Sequence, residues 1–142
     1  MYIGWDEKIL RSAKDAALDS KDSTKVGAVL VSDYNGKLLT AFNGPPIGVK
    51  DTPERFIRPT KYYFASHAEQ NLIAFAARHG IKTDGMSVVV THFPCSSCAK
   101  SLIQAGIQCV VVGNGTTSMP DEEFEHAKQM FSEAGVTIRK YD

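Results

Sequence analysis

"SHAEQNLIAF", Ser66 to Phe75, sets a histidine and a glutamate two residues apart at the head of a segment that then turns apolar. Two steps along an ideal helix turn a side chain by about 200°, so His67 and Glu69 cannot share a face in mid-helix. They can flank one cleft only where a helix begins. "PCSSC", 94 to 98, repeats the arrangement, because Cys95 and Cys98 fall where "PCSSCAKSL" starts another helix. Two helix starts are therefore expected to point at one spot, and the positive ends of their dipoles would stabilise thiolates there.

The rest of the chain places these two starts in an alternating pattern. From Trp5 to about Leu18, Trp5, Ile9, Ala13, Ala16 and Ala17 recur at helical spacing, which leaves Asp6, Lys8, Lys14 and Asp15 mostly on the wet side. "KVGAVLVS", "DYNG" and "KLLTAFNG" read as a β-hairpin, with Asn35 and Gly36 supplying positive backbone angles at the turn. The stretch between Gly44 and Ala65 is rich in proline and charge and long for a connection, which marks it as functional, while its aromatic residues argue against disorder. A helix follows from about His67 to His79, closed by Gly80, then a strand at "MSVVVT", a helix from "CSSCAKSLIQAG" and a strand at "QCVVVG". A last helix follows Pro120 and Asp121, ends at Gly135 and leads into "VTIRK". Helix, hairpin, then alternating helix and strand predict an α/β protein with a mixed sheet covered by helices.

Composition narrows the class of function. At 142 residues and 43% hydrophobic, the chain fits one domain spanning 1–142 with a core of its own. Sixteen Lys and Arg balance sixteen Asp and Glu, so there is no excess of positive charge to gather a nucleic-acid polymer. No apolar run approaches the roughly 20 residues that cross a bilayer, and "MYIGWDEKILRSAKDA" carries charge too early for a signal peptide. The expectation is a soluble, cytoplasmic protein without a membrane partner. Of three cysteines, two lie together in "PCSSC", which in a reducing compartment suggests metal or redox chemistry more than a structural disulfide.

His67 alone is compatible with a helix cap, and "PCSSC" alone with zinc binding, redox exchange or burial. Together, one imidazole and two thiolates make three ligands for Zn²⁺, which leaves a fourth position for water. Cys109 reads as core, and His79, His92 and His126 have no evident ligand spacing. Glu69 could be an acidic residue favourably placed in a first helical turn. Beside a metal that lowers the pKa of water to near 7, it becomes the carboxylate that shuttles the proton in a hydrolysis.

"HAE" at 67–69 with "PCSSC" at 94–98 matches the H-x-E…P-C-x-x-C signature of zinc-dependent nucleobase deaminases. Along nearly its whole length the chain resembles the zinc-dependent cytidine and deoxycytidylate deaminase family, and "VGAVLV", "AFNGPPIGV" and "SHAEQNLIAFAARHG" are most similar to its deoxycytidylate branch. The resemblance implies a three-layer αβα fold around a mixed five-stranded sheet, and hydrolysis of dCMP to dUMP and ammonia, which would supply dUMP for dTMP synthesis. It implies that His67, Cys95 and Cys98 hold one zinc per chain and that Glu69 moves protons to N3 of the base and to the departing amine. Ala68 would hydrogen-bond the base carbonyl through its backbone, Asn43 would read the sugar 3′-hydroxyl, and Val26 and Pro94 would line the substrate. The long loop offers Arg55, Arg58, Lys61, Tyr62 and Tyr63 for a phosphate, with Arg55 and Lys61 foremost.

Some members of the family carry extra ligands in this loop for a second zinc, but Gly44 to Ser66 contains neither cysteine nor histidine. The resemblance also implies a homohexamer activated by dCTP and inhibited by dTTP, with Mg²⁺ carried by the triphosphate. Phe75 and Arg78, three apart on one helix, are candidates to face an effector or a neighbouring subunit. Deamination of cytidine, guanine or tRNA adenosine is the alternative on the same fold, and a catalytically silent nucleotide sensor is the non-enzymatic one. Neutral net charge disfavours tRNA, and the presence of Glu69 disfavours a silent site.

Overall fold

A computed structural model describes residues 3–141. Five strands form one sheet in the order β2-β1-β3-β4-β5, with β1 Gly27–Val31, β2 Lys37–Phe42, β3 Ser87–His92, β4 Cys109–Gly115 and β5 Thr137–Lys140. β1 runs antiparallel to both β2 and β3, while β3, β4 and β5 are mutually parallel. The helices are α1 Asp6–Ala17, α2 Lys61–Phe64, α3 Ala68–His79, α4 Ser96–Gln104 and α5 Asp121–Ala134. α4 and α5 are the crossovers that parallel neighbours require.

Alternation along the buried strands divides the core in two. Val29, Val31, Val89, Val111 and Cys109 face α1, meeting Ile9, Leu10 and Ala13. Ala28, Leu30, Val88, Val90, Val110 and Val112 face the other way, onto Leu72 and Ala76 of α3, Ala99 and Leu102 of α4, and Ala127 and Phe131 of α5. This is the mixed sheet between helical layers that the sequence predicts, in the three-layer form that the resemblance implies. α1 lies so close to β1 that a Cβ on Gly27 would fall 1.9 Å from the Ala13 carbonyl oxygen, so only glycine fits there.

Three local expectations are corrected. Asp6 is fully buried rather than wet, because Arg139 of β5 grips its carboxylate at 2.6 and 3.0 Å, and Trp5 is 47% exposed. In the hairpin only Asn35 has a positive φ, of 61°. Its N–H bonds back to the Ser32 carbonyl at 3.1 Å, so a single left-handed residue closes the turn. Pairing then shifts from Leu30↔Leu39 to Val31↔Lys37, which leaves Leu38 as a bulge. The long connection is a closed loop: Gly44 and Ser66 exchange backbone hydrogen bonds of 3.0 and 2.8 Å across its base, and it holds a 3-10 turn at Pro53–Phe56 as well as α2.

One edge of the sheet gathers the parts of the site. The carboxyl ends of β3 and β4 lead there to His92 and to residues 116–120. Because β1 and β2 are antiparallel to each other, the start of β1 at Val26 and the end of β2 at Asn43 arrive at that edge as well. No helix among the described residues is long and apolar enough to cross a membrane.

Candidate active site

His67 stands immediately before α3 and Cys95 immediately before α4, each in extended backbone. The Gln70 side chain fixes the entry to α3 by accepting the His67 N–H at 3.0 Å. Glu123 of α5 does the same for α4, where its Oε1 accepts the Ser96 N–H at 3.2 Å and the Ser96 hydroxyl at 2.8 Å. A carboxylate on a helix start is favourably placed, and these bonds hold Glu123 below the usual carboxylate range.

The two helix starts bring His67 Nδ1 to 3.2 Å from Cys98 Sγ and 3.5 Å from Cys95 Sγ. The three ligand atoms lie within 4.8 Å of one another, and both cysteines are buried. Hydrogen bonding from Cys98 draws the Cys95 thiol down to about 4, and that same bond, with burial, pushes Cys98 far up. The bond to Cys95 also raises His67 against the opposing effect of burial. Cys98 thus keeps its proton and donates a hydrogen bond to the Cys95 sulfur. A cation of borderline softness would displace that proton and satisfy both sulfurs, so the donor set fits Zn²⁺.

Glu69 lies one residue into α3 and is 4% exposed. Burial pushes its carboxyl up to about 7, against the pull of its own backbone N–H and of His67. A carboxyl perturbed in this way, buried beside a His/Cys/Cys group, is a candidate proton carrier.

A cavity of about 390 Å³ opens over this floor. Of the expected substrate residues, Val26, Asn43, Lys61, Tyr62 and Ala68 line it together with His67, Glu69 and Cys95. Asn43 is held at both ends, since Oδ1 accepts the Val26 N–H at 2.9 Å and Nδ2 donates to the Thr24 carbonyl at 2.8 Å. Arg58 also lines the wall and bridges from the long loop to the segment after β4, with Nε 2.7 Å from Tyr62 Oη and a terminal nitrogen 3.2 Å from Ser118 Oγ.

Several expected residues stand elsewhere. Arg55 does not line the cavity: its guanidinium sits 4.0 Å over the Phe64 ring and donates to the Lys50 carbonyl at 2.8 Å. Pro94 is buried outside the lining, and Tyr63 is exposed beyond it. Phe75 is partly buried against the core and Arg78 is exposed, one turn apart on α3 and away from the cavity lining.

Other lining residues escaped the sequence reading, namely Asp22, Thr24, His92, Phe93, Thr117 to Pro120 and Phe124. The turn chemistry of "GNGTTSMP" was the available signal for the segment after β4. His92 lies 2.7 Å from the Thr91 hydroxyl through Nδ1 and opposes Gly115 of β4 in the sheet. A Cβ on Gly115 would come within 2.4 to 2.5 Å of three atoms of that ring, so the absence of a side chain there makes room for the imidazole. Burial holds His92 below its ordinary pKa.

Comparison with known proteins agrees with this geometry. The "Cytidine and deoxycytidylate deaminase zinc-binding region" matches residues 3–114. The chain is 38% identical to "Uncharacterized deaminase in luxG 3'region" of Aliivibrio fischeri, over 97% of its own length and 94% of that protein. It is 35% identical to the deoxycytidylate deaminase of Homo sapiens, over 99% of its length and 81% of the relative. Its fold superposes on the dCMP deaminase of cyanophage S-TIM5, crystallised with dCMP and dUMP, with a TM-score of 0.80, 26% identity and 99% of each chain covered. This chain belongs to the cytidine and deoxycytidylate deaminase family and is a hydrolytic deaminase.

Proposed function

We propose that the chain deaminates dCMP to dUMP and ammonia, with zinc held by His67, Cys95 and Cys98. The observation that carries this reading is a buried Glu69 beside a His/Cys/Cys group, at the floor of a cavity whose rim presents Arg58 and Lys61. The names borne by the human and cyanophage relatives support the same substrate.

When bound, zinc supplies Lewis acidity and a nucleophile available at neutral pH. Glu69 takes one proton of the attacking water and delivers it to N3 of the base as C4 becomes tetrahedral. It then takes the proton of the new C4 hydroxyl and passes it to the amine, which leaves as ammonia while the C4 carbonyl forms. Its carboxyl, raised by burial in the metal-free site, falls again beside a cation, which favours the base form at the start of the cycle. Ala68 opens α3 and offers its backbone N–H to the base carbonyl, a donor free at any helix start. Asn43 keeps one N–H and one lone pair beyond its two internal bonds, enough to read a sugar hydroxyl. Arg58, Lys61 and Tyr62 take the phosphate, which favours a small phosphorylated substrate over cytidine, guanine or a polymer.

Control by dCTP and dTTP, with Mg²⁺ on the triphosphate, and assembly into a cytoplasmic homohexamer extend the same reading. The assembly is supported by apolar side chains left exposed at Leu38, Phe42, Ile47, Val49 and Ile57. The test is ammonia release from dCMP, CMP, deoxycytidine, dCTP and guanine, with and without added dCTP and dTTP, alongside metal analysis. dCMP is expected to lead, with one zinc per chain. Equal or better turnover of guanine or deoxycytidine would overturn the substrate, and unchanged saturation curves would overturn the regulation.

A further inference from the structure

Lys61 lines the cavity, yet its ammonium is already engaged. Nζ lies 3.0 Å from Asp22 Oδ1, and the two side chains are 9% and 3% exposed. Asp22 is itself fixed: Oδ1 accepts the Thr24 N–H at 3.0 Å, and its backbone N–H donates to the Ser20 hydroxyl at 3.2 Å. That hydroxyl donates to the Asn43 carbonyl at 2.8 Å, while the Asn43 side chain holds Thr24 and Val26. Residues 20–26 and Asn43 thus form one hydrogen-bonded unit on the sheet side of the cavity. The Asp22–Lys61 pair joins that unit to α2 of the long connection.

A lysine this buried without a counterion would tend to lose its proton or swing into water. The contact with Asp22 holds it in place. One of its three protons goes to Asp22, which leaves two without a partner among the described residues. Arg58 also lines the cavity, bonded to Tyr62 and Ser118 and to no carboxylate among the described residues, so its charge is open to an anion.

We infer that Asp22 is a positioning residue for phosphate recognition, holding the Lys61 ammonium preorganised at the cavity wall. This rests on the nucleotide reading above, and it departs from the simpler picture in which Lys61 is a mobile cation drawn in by the substrate. Preorganisation avoids the ordering cost of a long side chain at the moment of binding.

The experiment compares kcat/KM for dCMP and for deoxycytidine in the zinc-loaded full chain, as wild type, Asp22→Asn, Lys61→Met and the double variant. Wild type should favour dCMP. In Asp22→Asn the dCMP-to-deoxycytidine ratio should fall roughly tenfold, the scale of one weakened charge-assisted hydrogen bond, chiefly through KM for dCMP. Lys61→Met should match it, and the double variant should add nothing, as expected of groups acting as one. Thermal unfolding separates stability from recognition. Asp22→Asn strands a buried cation and should melt earlier, whereas the double variant should recover its midpoint while its ratio stays low. A ratio in Asp22→Asn equal to wild type, or one that recovers in the double variant with the midpoint, would overturn the inference alone. Absence of any dCMP preference in wild type would overturn the nucleotide reading and the inference with it.

Discussion

At the floor of the cavity, His67, Glu69, Cys95 and Cys98 stand at the heads of α3 and α4, whose bodies are pinned by the fully buried Leu72, Ala76, Ala99 and Leu102. At the rim, Asp22, Asn43 and Arg58 on loops and Lys61 at the head of the one-turn α2 are tied by side-chain hydrogen bonds across long stretches of sequence. The floor inherits its rigidity from core packing, so its geometry follows from where two helices start. The rim has to be braced bond by bond. Chemistry therefore rests on apolar burial and recognition on polar networks, and the two should fail differently.

The largest contrast comes from Glu69→Gln, which keeps the shape of the floor but removes its proton carrier. Turnover is expected to fall about 10³-fold, within the range of a lost general acid-base group, while zinc content stays at the wild-type level. Turnover near wild type would detach the floor from the chemistry. Next is Gly115→Ala, which drives a methyl into the His92 ring. Overpacking of this kind should destabilise the chain by about 1 to 3 kcal/mol in denaturant titration and displace the imidazole from the cavity wall, with zinc retained. If stability is unmoved, the berth for His92 is not as tight as the contacts indicate.

Asn43→Ala tests the rim. It strips a partner from the Val26 N–H and the Thr24 carbonyl and should cost about 1 to 2 kcal/mol of stability, again without loss of zinc. Coupled loss of metal would mean that rim and floor are one unit after all. The smallest effect belongs to Glu123→Gln at the head of α4. The folded pKa of Glu123 lies below the reference value of 4.5, so its stabilisation is complete above about pH 5 and is lost as pH falls through the folded value. The difference between wild type and variant should be a few tenths of a kcal/mol at neutral pH, because water screens the charge, and should vanish in acid. A difference that grows toward acid would contradict the sign.

What the sequence disclosed divides along the same line. Outside the long connection, which hid α2, the helices and strands followed from periodicity and from Gly80 and Gly135, both left-handed at helix ends with φ of 68° and 76°. The metal group was legible because both halves of its motif are local, each within a few residues of a helix start. Asp6 was not, because the cause of its burial lies 133 residues away at Arg139. Asp22 looked like one more charge between a helix and a strand, and only the folded chain brings Lys61 to it. Arg55 and Arg58 are the same residue type three positions apart. Nothing local decides which of them reaches Ser118 across the cavity and which lies over Phe64.

The clamp of Arg139 on Asp6 has a consequence in time as well as in space. Every catalytic and cavity-lining residue lies between Asp22 and Phe124, but the carboxylate in the first helix meets Arg139 only through the last strand. During synthesis from the amino end, the cavity's own residues are all laid down before Arg139 exists. Until then α1 can cover its face of the sheet only with a bare carboxylate at the edge of the contact, and full closure of that layer is deferred to the final residues of the described chain.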